Sequence, residues 1–474
     1  MKLQKQSLPQ AMAGPMPLRA QIQWVLWLST PAILAQISSL AMGYIDAAMV
    51  GGLGGNATGA VGLVLSTTWL FGQLCSSAAT GFSVQVAHLI GAGEEAQARH
   101  VLRQAILGTT GFGLLVSLTG IWVSFFLPLW LGGAADICPD ASRYFLIYAC
   151  GLPATQLRWM AGSILQCSGD MRTPSALNIL MCVLDILFNS LLIFPGRQLS
   201  LLGMSFFLPG AGMGVAGAAL GTALAEAVTA LLMGFALCFR SPKLRLRRGE
   251  SWKFHLPTQK TAARLAIPVA FEHVIISGAL VMSTRIIAPL GTIAIAANSL
   301  AVTAEGLCYM PGYGIGTAST TLVGQSIGAG RTDLARRFAH LAVVMGVVMM
   351  AITGALMYLF APQMLLFLTP DRTIRALGAQ MLRIEAIAEP FYAISIVVTG
   401  ALRGAGDTMA PSIMNLVSMW GVRIPLSIFL APRMGLTGVW LAMSGELCFR
   451  GILFLCRLLR GKWLSKTVLA GGGD

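Results

Sequence analysis

Val86-Ala87-His88-Leu89-Ile90-Gly91-Ala92-Gly93 and Val323-Gly324-Gln325-Ser326-Ile327-Gly328-Ala329-Gly330 are one pattern written twice, 237 residues apart. The same separation carries Gly169-Asp170, Pro174-Ser175 and Asn178 onto Gly406-Asp407, Pro411-Ser412 and Asn415. It also carries Pro31 onto Pro268 and Leu53-Gly54 onto Leu290-Gly291. Patches this far apart that keep one offset mark an internal duplication. Six apolar spans separate equivalent points, so the halves have the same orientation. A duplication of that kind predicts two lobes related by a pseudo-twofold axis along the membrane normal, with a site where they face each other.

The spans follow from composition. The chain has 474 residues, 56% hydrophobic and 11% charged, where a soluble domain carries about 25% charged. Apolar runs long enough to cross a bilayer fall near residues 24–49, 57–87, 98–128, 140–165, 174–195 and 213–239. The second half gives 262–288, 294–325, 334–360, 374–402, 410–431 and 436–459. The sequence therefore predicts an all-α membrane protein of about twelve transmembrane helices in two six-helix lobes. The expected divisions are a tail 1–21, an N-terminal lobe 22–239, a linker 240–261, a C-terminal lobe 262–460 and a tail 461–474. The first span, starting near Ile22, has no small-residue cleavage site behind it and is expected to stay in the mature protein.

The net charge of +14 is spread in a way that speaks for topology. Its longest basic stretch, Arg240 to Arg248 with Lys253, Lys260 and Arg264, lies between spans. Lys2, Lys5 and Arg19 lie in one tail, and Arg457, Arg460, Lys462 and Lys466 in the other. No aromatic residues interleave as base-stacking platforms would. The pattern reads as positive-inside, with both termini and the linker cytoplasmic, and against nucleic-acid binding. The nine cysteines form no CxxC pair and read as small apolar packing residues.

Gly91-Ala92-Gly93 and Gly328-Ala329-Gly330 are expected to end long helices, glycine supplying the positive φ of a C-cap. Gly406-Asp407-Thr408 does similar work before Pro411 opens the next helix. GxxxxGK[ST] is absent, so no nucleotide drives the protein through this chain. His88, His100, His255, His273 and His340 offer no metal spacing or catalytic motif, which leaves an intramembrane enzyme without residues to carry it.

Leu402-Arg403-Gly404-Ala405-Gly406-Asp407-Thr408, Pro411, Asn415 and Trp420 to Arg423-Ile424-Pro425 resemble the MATE (multidrug and toxic compound extrusion) family. Met310-Pro311-Gly312, Val323-Gly324-Gln325, and Tyr44-Ile45-Asp46 with Val50-Gly51 do so as well. The resemblance covers roughly residues 20 to 460. It implies two lobes in a V around a central cavity, and a cation-coupled antiporter that exports cationic amphiphiles against sodium ions or protons. It implies no cofactor beyond that coupling ion.

Ionisable residues inside spans invite a functional reading because each costs a few kcal/mol to bury. Asp46 lies in the first span and Asp185 in the fifth. Asn178, Asp185 and Asn189 fall at i, i+7 and i+11 on one helical face. The resemblance carries the family's N-lobe ion site onto Asp46, Asp185 and Thr222. Two carboxylates in one dry cavity suit proton binding; with neutral oxygens they also make a sodium site, with Asp46 and Asp185 as the ligands. The family's sodium-type pattern has an Asn where this chain has Met181, a poor sodium ligand, which tilts the reading toward protons.

In the second half, Glu272, Glu305 and Glu389 are expected to face the substrate cavity. Glu385, four residues before Glu389 and close to Arg383, fits an outer-end surface charge equally well. Pro390 predicts a kink there. Arg158, Glu226 and Glu446 lie in spans with no assigned role. Candidate cavity acids outnumber candidate arginines, which favours cationic or amphiphilic small molecules over the alternative on this scaffold, a flippase or exporter of lipid-linked or other metabolites. The expected setting is the plasma or inner membrane of a prokaryote, as a multi-pass, monomeric protein whose partners are its substrate and the bilayer.

Overall fold

In lipid, backbone N–H and C=O groups have no partner but each other, so apolar spans fold as helices. The structure is a computed structural model and describes residues 8–12, 14–201, 204–247 and 249–465. Lys2, Lys5, Arg248 and Lys466 lie outside the described residues. The first half runs α1 (Leu8–Met12), α2 (Leu18–Gly51), α3 (Gly55–Gly91), α4 (Glu95–Ser124), α5 (Leu127–Trp130), α6 (Cys138–Cys167) and α7 (Arg172–Leu192). Strands β1 (Pro195–Leu201) and β2 (Met204–Ala211) pair antiparallel before α8 (Gly214–Phe235), which is prolonged by a π-helical turn, Ala236–Arg240.

The second half runs α9 (Leu256–Ile287), α10 (Thr292–Gly328), α11 (Thr332–Leu366), α12 (Arg372–Ala386), α13 (Glu389–Gly404), α14 (Met409–Ser418), α15 (Ile424–Met434) and α16 (Leu436–Leu459). A π-helical turn, Met419–Arg423, joins α14 to α15 just ahead of Pro425, which has no N–H to continue the regular ladder. Ten of these helices, some with their flanking turns, are long and apolar enough to cross a membrane. The fourth and tenth expected spans are the exceptions. The fourth, α6, carries Asp140, Arg143 and Arg158. The tenth is not one helix with a kink but two, α12 and α13, broken at Ile387-Ala388 ahead of Pro390.

Two further features depart from the expectation. The loop after α7 holds the β-hairpin. The segment before the first span is not a free tail: Leu8 and Met12 of α1 are buried in a core shared by both halves of the chain, together with Trp24, Leu322, Phe338 and Leu402. Arg331 Nη1 donates to the Met12 carbonyl at 2.7 Å, fixing α1 against the end of α10.

The duplicated glycine motif does two jobs. Gly93 and Gly330 have φ of 79° and 71°, the left-handed caps expected of them. Gly91 and Gly328 instead permit backbone contact between the halves. A Cβ on Gly91 would stand 2.1 Å from the Gln325 carbonyl oxygen, and one on Gly328 would stand 1.9 Å from the His88 carbonyl oxygen. These contacts are each other's images under the 237-residue offset. They press α3 against α10 where both helices end. Elsewhere α2 packs along α10 and α3 along α9, so each half leans on the other through its first two spans.

Candidate functional site

Asp46 of α2, Asp185 and Asn189 of α7 and Thr222 of α8 come together. The Asn189 side-chain amide donates to Asp46 Oδ1 at 2.9 Å and to Asp185 Oδ2 at 3.0 Å. Asp185 and Asn189 are buried, and the Asp185 carboxyl also faces Thr222. The arrangement depends on Gly221: a Cβ there would lie 2.1 Å from Asn189 Oδ1, and Gly217 lets α8 meet the α7 backbone at Leu192 one turn earlier. Asp185 Oδ1 and Asn189 Oδ1 are buried with no hydrogen-bond partner. The cluster thus offers two carboxylates and two neutral oxygens, and none of the described ion pairs involves either aspartate. Asn178 is not part of it. It lies two turns along α7, about 10 Å away by the rise of the helix, with its own Oδ1 buried and unpartnered. Met181, one turn before Asp185, is buried.

A separate cavity of about 420 Å³ opens between the halves. Trp69, Thr80 and Trp159 line it from the first half, and Glu272, Glu305, Tyr309, Tyr392, Arg403, Arg423 and Arg450 from the second. Tyr309 packs its ring on those of Tyr313 and Tyr392, at centroid distances of 5.9 and 5.6 Å. Neither Asp46 nor Asp185 lines this cavity.

The acids of the second half divide in a way the sequence reading did not anticipate. Glu272 is engaged by Arg403 at 2.9 Å and by the Asn415 amide at 2.7 Å. Glu305 reaches the cavity wall. Glu389 does not line the cavity: it is fully buried with both carboxyl oxygens unpartnered. Glu385 is no surface charge either, being fully buried and accepting from the Ser444 hydroxyl at 2.9 Å. Arg383 turns away from it and stacks over the Tyr358 ring. Three arginines and two glutamates line the cavity, so acids do not outnumber arginines there. Sequence reasoning missed Arg403 and Arg450 because their positions relative to the cavity depend on packing across helices far apart in the chain.

Arg158 and Glu226 pair with each other at 3.1 Å, and the Thr155 hydroxyl donates to the same carboxylate. Arg450 and Glu446 pair likewise at 3.0 Å on α16, with the Ser418 hydroxyl donating to Glu446. Each half therefore ends in a helix whose acid, half-buried at Glu226 and buried at Glu446, is paired with one arginine and one hydroxyl. Arg158 is thereby occupied by Glu226.

A sequence profile of the MatE family matches residues 31–191 and 268–429. The chain belongs to the MatE family. The two matched stretches begin at Pro31 and Pro268, so the profile itself falls twice on the chain, once per repeat. Across full lengths, the chain is 27% identical to a probable multidrug resistance protein NorM of Thermotoga maritima, over 93% of each chain. It is 25% identical to the multidrug resistance protein PmpM of Pseudomonas aeruginosa, over 94% of this chain and 92% of that one. Among solved structures, a MATE protein in complex with MaL6 superposes with a TM-score of 0.86 at 20% identity, over 94% of this chain and 98% of that one. A MOP superfamily transporter from Pyrococcus furiosus superposes with a TM-score of 0.85 at 20% identity. These superpositions extend the MatE fold, two lobes of membrane-spanning helices, over nearly the whole chain. As a MatE transporter, the protein is a multi-pass membrane protein.

Proposed function

We propose that this chain is an ion-coupled efflux antiporter that exchanges a proton or a sodium ion for amphiphilic small molecules by alternating access of its two lobes. The observation that carries the reading is the Asp46–Asn189–Asp185 bridge, with buried orphan oxygens on Asp185 and Asn189. Two carboxylates with no ion-pair partner among the described residues attract a cation, and a proton on a carboxyl or a sodium ion among these oxygens cancels one of the two charges. Binding it halves the charge of a cluster joining α2 to α7 and α8, which is how an ion gains leverage over helix positions. The relatives named as multidrug resistance proteins support drug-like substrates, and organic cations belong to the same proposal. The expected topology, both termini and the 240–261 linker on the cytoplasmic side of a prokaryotic inner membrane, and a monomeric state belong to the same proposal.

Arg403, Arg423 and Arg450 on the cavity wall favour a second reading, export of an anionic or lipid-linked metabolite on the same scaffold. The experiment separates the two. Ethidium flux is measured in proteoliposomes under separate proton and sodium gradients, with wild type beside Asp46→Asn and Asp185→Asn. Gradient-driven flux that either variant abolishes supports the antiporter and names the ion. Full activity in both variants removes the aspartate site. Absence of ethidium flux with folded protein moves the assignment to the anionic substrate.

A further inference from the structure

The segment between the lobes is clasped to α4 along one edge and bare on the other. Glu250 is held by Arg99 at 2.8 Å and by Arg103. The buried Gln104 side chain then donates to the Lys253 carbonyl at 2.7 Å and accepts from the His255 amide at 2.9 Å. A carbonyl and an amide two residues apart, bound along one edge, hold residues 251–255 extended, so alternate side chains share a face. One face presents the His255 ring to that of His100 at 5.2 Å. The other presents Trp252, 48% exposed, and Phe254, 63% exposed, with Leu256 following at 60%. Three large apolar side chains in a row stand exposed at the foot of a helix long and apolar enough to cross a membrane, where a bilayer surface would cover them.

The helix they lead into continues the same boundary. The exposed stripe of α9 runs Leu256, Lys260, Arg264, Ile267 and Phe271, one lipid-facing line at helical spacing. Lys260 and Arg264 lie one turn apart, about 6 Å between their Cβ atoms. Beyond them the stripe is apolar. Neither side chain is in any described ion pair, and Glu250, the acid of the segment, is already held by two arginines. An aromatic pair at the interface with two unpaired basic groups beside it on the lipid face matches the chemistry of a phospholipid headgroup.

The geometry points to a binding site for an anionic phospholipid, in which Trp252 and Phe254 anchor the inter-lobe segment in the headgroup layer and Lys260 and Arg264 hold the lipid phosphate. This site is independent of the ion-coupling proposal. The Gln104 clasp fixes the segment to α4 of one lobe while the basic pair sits on α9 of the other, so the lipid would rest against both.

The test uses the full-length protein in nanodiscs of phosphatidylcholine containing phosphatidylglycerol, with bound lipid read by native mass spectrometry. Wild type is expected to retain phosphatidylglycerol over phosphatidylcholine, and Lys260→Gln with Arg264→Gln to lose about fivefold in that preference per residue changed. Lys260→Arg with Arg264→Lys is expected to keep it, which separates charge from folding. In parallel, quenching by lipids brominated near the headgroup should be larger for wild type than for Trp252→Phe. No preference in wild type, an unchanged preference in the glutamine variant, no difference in quenching, or loss of the preference in excess inorganic phosphate would each overturn the site.

Discussion

His88 and Gln325 occupy equivalent places in the two repeats, and each reaches into the other lobe at equivalent places. His88 Nε2 donates to the Gly404 carbonyl at 2.8 Å, and Gln325 Nε2 donates to the Cys167 carbonyl at 2.7 Å. Residues 167 and 404 are themselves 237 apart, so the two bonds cross the pseudo-twofold axis as a matched pair. All four partners lie at helix ends, beside the Gly91 and Gly328 contacts. The two halves are therefore joined at this end of the molecule by a reciprocal lock.

If the lock holds the lobes together at this end, removing one bond shifts the balance between conformers. Gln325→Ala leaves the buried Cys167 carbonyl unsatisfied, at a cost of about 1–3 kcal/mol, while leaving the aspartate cluster untouched. The variant is expected to populate the conformer open at this end at least about fivefold more than wild type. Spin labels at the α3 and α10 ends, read by pulsed distance measurement, check it. A distance distribution identical to that of wild type would show that the bond contributes nothing to closure.

The glycine contacts make a harsher version of the same prediction. No side chain fits at Gly328 while α3 and α10 stay in place, since its Cβ would overlap the His88 carbonyl group. Gly328→Val is expected to prevent closure at this end, trapping the conformer open there. Substrate binding should survive while exchange turnover falls by an order of magnitude or more, measured as counterflow against equilibrium binding. Gly330→Asn, which only has to keep a left-handed φ, should be nearly silent in the same assays.

Gly221→Ala tests the ion cluster without touching a carboxylate. Its Cβ would meet Asn189 Oδ1, so the amide must leave its bridge between Asp46 and Asp185. The two acids then lose their shared donor, and gradient-driven flux should fall steeply while downhill exchange of substrate persists. Parallel measurements of flux with and without an ion gradient check this. A variant that remains fully gradient-driven would remove Asn189 from the coupling site.

The duplication made the two-lobed fold legible, because one offset recurs in motifs and in prolines. Asn189 is legible from spacing alone, one turn beyond Asp185, and Asp46 from being an ionisable residue inside a span as well as from the family motif. What could not be read were contacts that depend on tertiary geometry. Arg403 lies 131 residues from Glu272, and nothing in either local segment says that they pair, so Glu272 was counted as an available cavity acid. Glu385 beside Arg383 fits a surface charge and a buried acid equally well from sequence, because proximity along the chain says nothing about which way each side chain turns. The β-hairpin was missed because hydropathy marks it only as the gap between two spans.

Glu250 gives the clearest pH dependence. Burial pushes its carboxyl up, but the Arg99 hydrogen bond, the Arg247 amide and the charges of Arg103 and Arg99 outweigh this and hold it below the usual carboxylate range. A carboxylate lowered in the folded state contributes stability that is present above its ordinary value, about 4.3 for a glutamate, and is lost as pH falls through the lowered value. The clasp is therefore intact at neutral pH and opens only in acid. Comparing wild type with Glu250→Gln isolates this contribution from the nearby His100–His255 ring pair. Amide exchange at His255, corrected for its intrinsic rate, should be slower in wild type at neutral pH, with the difference vanishing in acid. A difference that stays constant down to strongly acid pH would mean that the glutamate acts by packing rather than by charge.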